Sequence, residues 1–170
     1  MTDVETRLLT EADAAAYWQL RLEGLEREPL SFATTPEEHR KTTVQDAAER
    51  LSANSGDDFV MGVFRAGELV GMAGFFRYQG AKARHKGRIW GVYVTGNCRG
   101  QGLGRALLVA LLARIRGCRG VEQVTLTVVS GLVAARALYC SLGFEPYGME
   151  PRGLKIGDLY LDDEHMVLKL

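Results

Sequence analysis

The sequence has no run of about 18 apolar residues, the length a membrane-crossing helix needs, so it predicts no transmembrane segment. It has no excess charge of either sign. Lys and Arg total 21, as do Asp and Glu, which removes the electrostatic footprint of a nucleic-acid or anionic-membrane binder. Cysteine is scarce: Cys98, Cys118 and Cys140 are odd in number and show no Cys-x-x-Cys spacing, so they imply neither a disulfide framework nor a metal site. Met1-Thr2-Asp3-Val4-Glu5 is acidic and lacks a basic-then-apolar leader pattern; with the cysteine usage, it predicts a cytoplasmic protein. No internal repeat or low-complexity tract is present, and residues 1–170 read as one domain long enough to bury a core.

What the sequence does have is a glycine-dense turn between a β-branched run and an apolar helical pattern, Val92-Tyr93-Val94-Thr95-Gly96-Asn97-Cys98-Arg99-Gly100-Gln101-Gly102-Leu103-Gly104-Arg105. Glycines at alternate positions let a backbone approach a ligand closely, because no Cβ intervenes. The first amides of the following helix lack intrahelical partners, and the helix dipole adds positive character, so such a start is an anion site. Arg99 and Arg105 flank it with charge-assisted donors for phosphate. It is not a nucleotide-triphosphate loop, since no Lys-Ser or Lys-Thr follows Gly102 or Gly104. Nor is it a dinucleotide fingerprint. Counting from Gly100, the third glycine position holds Arg105, and Glu122 opens an apolar run instead of closing one.

The remaining pattern is Arg/Gln-x-x-Gly-x-Gly/Ala, matched by Arg99-Gly100-Gln101-Gly102-Leu103-Gly104. A second block, Ala135-Arg136-Ala137-Leu138-Tyr139-Cys140-Ser141-Leu142-Gly143-Phe144, follows after one intervening strand. On these two blocks the chain resembles the GNAT superfamily of acetyl-CoA-dependent N-acetyltransferases. The resemblance implies a mixed α/β (α+β), mostly antiparallel sheet of about seven strands flanked by about four helices. It also implies a splay between the strand before the glycine turn and the strand after its helix.

Periodicity gives the elements independently. Strand is predicted over 4–9, 59–65, 69–78, 88–95 and 121–129, and helix over 11–27, 103–116 and 132–142. Thr10 with Asp13 is spaced as a helix cap, and Pro29 ends the first helix. Thr35-Pro36-Glu37-Glu38 opens a second helix running to Leu51, with a turn at Asn54-Ser55-Gly56. Residues 144–149 and 160–170 are read as a closing strand pair around a loop at 151–157.

For chemistry, the resemblance implies that Val92, Tyr93 and Val94 offer backbone groups to the acetyl and pantetheine portions of acetyl-CoA. It implies that Arg99, Gly100, Gln101, Gly102, Leu103, Gly104 and Arg105 cradle the diphosphate. Tyr139 matches the family tyrosine facing the thioester sulfur and is the expected general acid. Leu132 stands where the family often has a CoA-contacting asparagine, a contact leucine cannot make and Ser130 could replace. The general base is less legible, because residues 88–95 contain no Asp or Glu. His85, Glu145, Asp162, Asp163, Glu164 and His165 are the titratable groups nearby. Glu164 is the candidate base, since it interrupts a strand expected to be buried, where an unpaired charge is costly. Glu23, Glu26 and Glu28 offer attraction for an ammonium group. The expected reaction is acetyl transfer from acetyl-CoA to a primary amine of a small molecule, amino acid or peptide, by direct attack in a ternary complex. A homodimer is left open. The alternative is a non-catalytic acetyl-CoA-binding sensor or interaction domain, kept open by Leu132 and the missing strand acid.

Overall fold

The computed structural model describes residues 3–54 and 56–170; Ser55, read as part of a turn, and the first two residues lie outside them. β1 (Val4–Leu8) enters α1 (Ala14–Arg27) through one 3-10 turn. The Asp13 carboxylate fixes that entry. It accepts the Thr10 N–H at 2.8 Å and the fork of Arg7 at 2.8 and 2.9 Å.

The single helix expected from 35 to 51 is two, α2 (Pro36–Arg40) and α3 (Val44–Ser52). Thr43 caps α3 reciprocally with Asp46, at 2.6 Å and 3.1 Å, so the chain restarts a helix instead of continuing one. Thr42 Oγ1 donates to the His39 carbonyl at 2.7 Å, which stabilises the break. His39 is buried, stacked on Trp18 at 4.7 Å, with Nε2 3.0 Å from the Trp18 carbonyl, so α2 is pinned to α1. That capping pair was visible in the sequence and outweighed the helical period.

The remaining elements are β2 (Asp58–Arg65), β3 (Glu68–Arg77), β4 (Lys86–Val94), α4 (Leu103–Arg116), β5 (Gln123–Val129), α5 (Val133–Ser141), β6 (Glu145–Ile156) and β7 (Leu159–Lys169). The seven strands form one sheet, ordered β1-β2-β3-β4-β5-β7-β6. Every neighbouring pair is antiparallel except β4 and β5. This is the mixed, mostly antiparallel sheet the sequence implied, with five helices in place of about four. Ala66 and Gly67 both take positive φ, 51° and 80°, the paired left-handed turn that suits the twist of the β2–β3 hairpin.

β2 reads as an unbroken apolar run because both its faces are covered. Phe59, Met61 and Val63 pack with Leu107, Leu108 and Ile115 of α4, while Val60 and Phe64 pack with Leu25 and Leu51 of α1 and α3. The closing hairpin is longer than expected. Residues 151–156 continue the β6–β7 ladder, with a register shift between Glu150 and Leu154. The shift absorbs Pro151, whose missing N–H a regular ladder could not use. Arg152, at φ 56°, donates its N–H to Asp162 Oδ1 at 2.8 Å.

Candidate active site

Two strands that pair and then part make a cleft. β4 and β5 are in register only at Lys86–Gln123, Gly87–Val124 and Arg88–Thr125. Beyond Arg88 they diverge, as the resemblance implied. A bulge in β4 helps turn it away: Gly91 sits at φ 62°, and pairing with β3 resumes out of step between Trp90 and Tyr93. The gap holds a cavity of about 800 Å³, bounded by β4, β5, the glycine turn and α5. Its lining includes Phe32 from the face covered by α1 and Leu103 from the face covered by α4, so it passes through the sheet.

At the α4 end, none of the six amide N–H groups from Gly100 to Arg105 has a hydrogen-bond partner among the described residues. The first amide of α4 that is satisfied belongs to Ala106, which bonds the Gly102 carbonyl. Gly100 and Gly102 take positive φ, 72° and 78°, and a Cβ on either would meet open space. The turn therefore presents bare donors and no side chain. A diphosphate fits that cradle, because its oxygens supply the acceptors these amides lack.

The flanking side chains are partly engaged elsewhere. Arg99 donates from Nε to the Val94 carbonyl at 3.0 Å and pairs with Glu28 at 2.5 Å. Arg105 donates to Ser141 Oγ at 2.8 Å. Both line the cavity, together with Gly100, Gly102, Leu103 and Gly104. Gln101 does not; its side chain donates to the Asn97 carbonyl at 3.1 Å, leaving only its backbone toward the turn. Val92, Val94 and Leu132 border the cavity, as does Tyr93, whose ring is buried on the α1 side with its hydroxyl donating to Glu23 at 2.8 Å. Ser130 lies outside the lining.

Tyr139 lines the cavity while 8 % exposed, and burial pushes its phenol up to about 12. No group among the described residues hydrogen-bonds its hydroxyl, which stays protonated and free to donate.

The acids divide differently from the sequence expectation. Glu164 is not on the cavity wall. It holds the fork of Arg136 at 2.7 and 3.2 Å, with its side chain only 12 % exposed. The costly unpaired charge that pointed to Glu164 is therefore a paired one. Its neighbour Asp163 lines the cavity, because adjacent strand residues face opposite ways. Burial, with Glu150 nearby, raises the Asp163 carboxyl above its ordinary value, against the pull of His165 and Arg88. Of the three glutamates on or after α1, Glu23 accepts from Tyr93, Glu26 pairs with Arg40 and Glu28 pairs with Arg99. His165 is set by Thr127. The Thr127 hydroxyl accepts from Arg88 at 2.8 Å and lies 3.2 Å from His165 Nδ1, while His165 Nε2 lies 3.3 Å from Glu150.

Sequence reasoning missed Arg21, Arg88, Phe32 and Trp90, all of which line the cavity. One signal was present. Ala14, Tyr17 and Gly24 are buried on α1 at helical spacing, and Arg21 falls on that same stripe. A charge on a core-facing stripe asks for an explanation.

Comparison with known proteins agrees with this geometry. A mycothiol acetyltransferase of Salinispora tropica is 33% identical over 115 residues, 67% of this chain and 38% of that protein, so the chain spans well under half of that relative's length. An L-methionine sulfoximine/L-methionine sulfone acetyltransferase of Pseudomonas paraeruginosa is 34% identical over 119 residues, 69% of this chain and 68% of that protein. A Salmonella typhimurium protein solved with its cofactor acetyl-CoA shares the fold, with a TM-score of 0.84 at 24% identity over 98% of this chain and 94% of that one. The model of the acetyltransferase (GNAT) family matches residues 21–144, and the chain belongs to that family.

Proposed function

We propose that residues 1–170 act as an N-acetyltransferase domain that moves the acetyl group of acetyl-CoA to a primary amine by direct attack. The observation that carries this reading is the row of six unpartnered amides at the foot of the splayed cleft. Acetyl-CoA supplies an activated acyl group; the chain's own residues bind, orient and handle protons.

Gly100 to Arg105 hold the diphosphate, and β4 from Val92 to Val94 lies alongside the pantetheine arm. An alkyl amine of pKa about 10.4 must lose a proton first, which costs about 4–5 kcal/mol at pH 7. Asp163 is the better-placed acceptor of that proton, because it faces the cavity and Glu164 does not. Tyr139 donates a hydrogen bond to the departing sulfur. A phenol at about 12 gives its proton outright to a thiolate of ordinary pKa near 8.5 only uphill. Its contribution is therefore stabilisation of the developing charge, with proton transfer completing later.

Acceptors named for the relatives, L-methionine sulfone first, form the starting panel. The test joins calorimetric titration of acetyl-CoA to a free-thiol release assay across that panel. Heat without thiol release on any amine, unaltered by Tyr139→Phe, supports the sensor alternative. Absence of heat removes both readings.

A further inference from the structure

Acetyl transfer leaves one group in the cleft unexplained. The Arg21 guanidinium stands 5.7 and 5.6 Å from the ring centroids of Phe32 and Trp90, and its Nη1 is buried with no hydrogen-bond partner. Arg21 makes no hydrogen bond or ion pair among the described residues. Arg88, on the same cavity wall, donates a hydrogen bond to the neutral hydroxyl of Thr127 and makes no ion pair among the described residues, its charge reaching Asp163 only at a distance. Other arginines nearby are matched: Arg50 with Asp58, Arg99 with Glu28, Arg136 with Glu164. Two guanidinium groups thus line one cavity with no ion pair to a carboxylate among the described residues, Asp163 standing near Arg88 without bonding it.

Gly91 reinforces the pattern. A Cβ there would stand 3.4 Å from Arg21 Nη1, so glycine at φ 62° places the β4 backbone directly beside that nitrogen without a side chain between them. The anion they await is not the diphosphate. Trp90 precedes Val94 by four strand residues, on the order of 10 Å, and the glycine turn lies farther on. Arg21 also belongs to the α1 face, whereas the glycine turn opens α4 on the other.

We infer that the acceptor carries a carboxylate, gripped by Arg21 together with Arg88, while its amine lies toward Asp163. An α-amino acid or a close analogue has that chemistry: one anion for a planar guanidinium fork, and one amine a short reach away. Phe32 and Trp90 hold the Arg21 guanidinium at cation–π range, which fixes the carboxylate before the acyl group arrives. The inference rests on the acetyl-transfer reading of this cleft.

The test uses the full chain saturated with CoA and a series of free L-amino acids, L-methionine sulfone and L-methionine included. Each is paired with its carboxamide and its decarboxylated amine. Binding is read by calorimetry and turnover separately by thiol release with acetyl-CoA. At least one free acid binds 30-fold or more tighter than its two partners. Arg21→Gln reduces that ratio below threefold, and Arg21→Lys, which keeps charge but not the fork, leaves it in between. Acid, amide and amine binding alike, a ratio unmoved by Arg21→Gln, or no binding by any member overturns the carboxylate site. Discrimination in binding with no thiol release keeps the site and removes acetyl transfer. Far-UV circular dichroism and Tm of each variant verify folding, and Arg88→Gln repeats the ratio if Arg21→Gln fails to fold.

Discussion

Gly104→Ala separates what the glycine turn does for the fold from what it does for the ligand. Gly104 lies in the first turn of α4, and a Cβ there would meet Leu138 Cδ2 at 3.5 Å and Val94 Cγ2 at 3.8 Å, ordinary contacts with no overlap. Alanine is a better helix former than glycine by about 0.5–1 kcal/mol and narrows the unfolded ensemble. The variant should therefore be more stable, with Tm up by about 2 °C for a domain of this size. Both contact residues line the cleft, so the new methyl enters it beside the diphosphate cradle. Acetyl-CoA affinity should fall at least tenfold, about 1.4 kcal/mol. Gly102→Ala supplies the contrast. At φ 78° a side chain costs about 1–2 kcal/mol, so that variant loses affinity and stability together. Differential scanning calorimetry and isothermal titration measure both quantities. A Gly104→Ala protein that binds acetyl-CoA as tightly as the parent refutes the placement of the diphosphate.

Tyr139→Phe should lower kcat by about 10²–10⁴ with little change in KM, because the lost hydrogen bond forms as the thiolate leaves; steady-state kinetics decide. The same variant should keep its stability at pH 7, since the buried hydroxyl has no protein partner to lose. Alkaline denaturation should separate the two proteins. With the folded phenol raised to about 12 from about 10, the native state holds a proton that the unfolded state gives up, so Tyr139 contributes a fall in stability of about 2–3 kcal/mol as pH rises from about 10 to 12; Tyr139→Phe removes that share and leaves those of Tyr93 and Tyr17. Asp163→Asn should cut kcat/KM by about 10² or more, whereas Glu164→Gln should change it less than about fivefold and cost at most about 1 kcal/mol of stability through Arg136. A larger kinetic loss in Glu164→Gln than in Asp163→Asn would return the base to Glu164.

How far the sequence could be read depended on whether a property is local. The glycine turn and α4 were legible because their cause lies within consecutive residues: small residues, then an apolar stripe ending in Ile115. The α2–α3 break was local too, and was missed because the Thr43–Asp46 cap was not read. Arg21 and Asp163 were not legible as cavity residues. The α1 stripe marks Arg21 as core-facing, but nothing local names Phe32 and Trp90 as its neighbours or tells which of Asp163 and Glu164 faces inward. The strand's alternation fixes the second point only once its register against β5 is known.

The bulge at Gly91 shows how one backbone feature sets both ends of the cleft. Before it, Ile89 packs on the α4 side and Trp90 on the α1 side. After it, Val92 and Val94 pack on the α4 side and Tyr93 on the α1 side. Strict alternation from Ile89 would have put Tyr93 with α4 and Val92 with α1. The extra residue inverts that parity, because an insertion of one flips every later side chain. Trp90 and Tyr93, three apart, consequently share the α1 face, where one faces the Arg21 guanidinium and the other bonds Glu23. Val92 and Val94 turn toward α4, beside the glycine turn. With strict alternation Val92 and Val94 would join Trp90 on the α1 side and Tyr93 would leave it, mixing aliphatic residues into the arginine–aromatic surface. Gly91, at φ 62°, is where that parity changes.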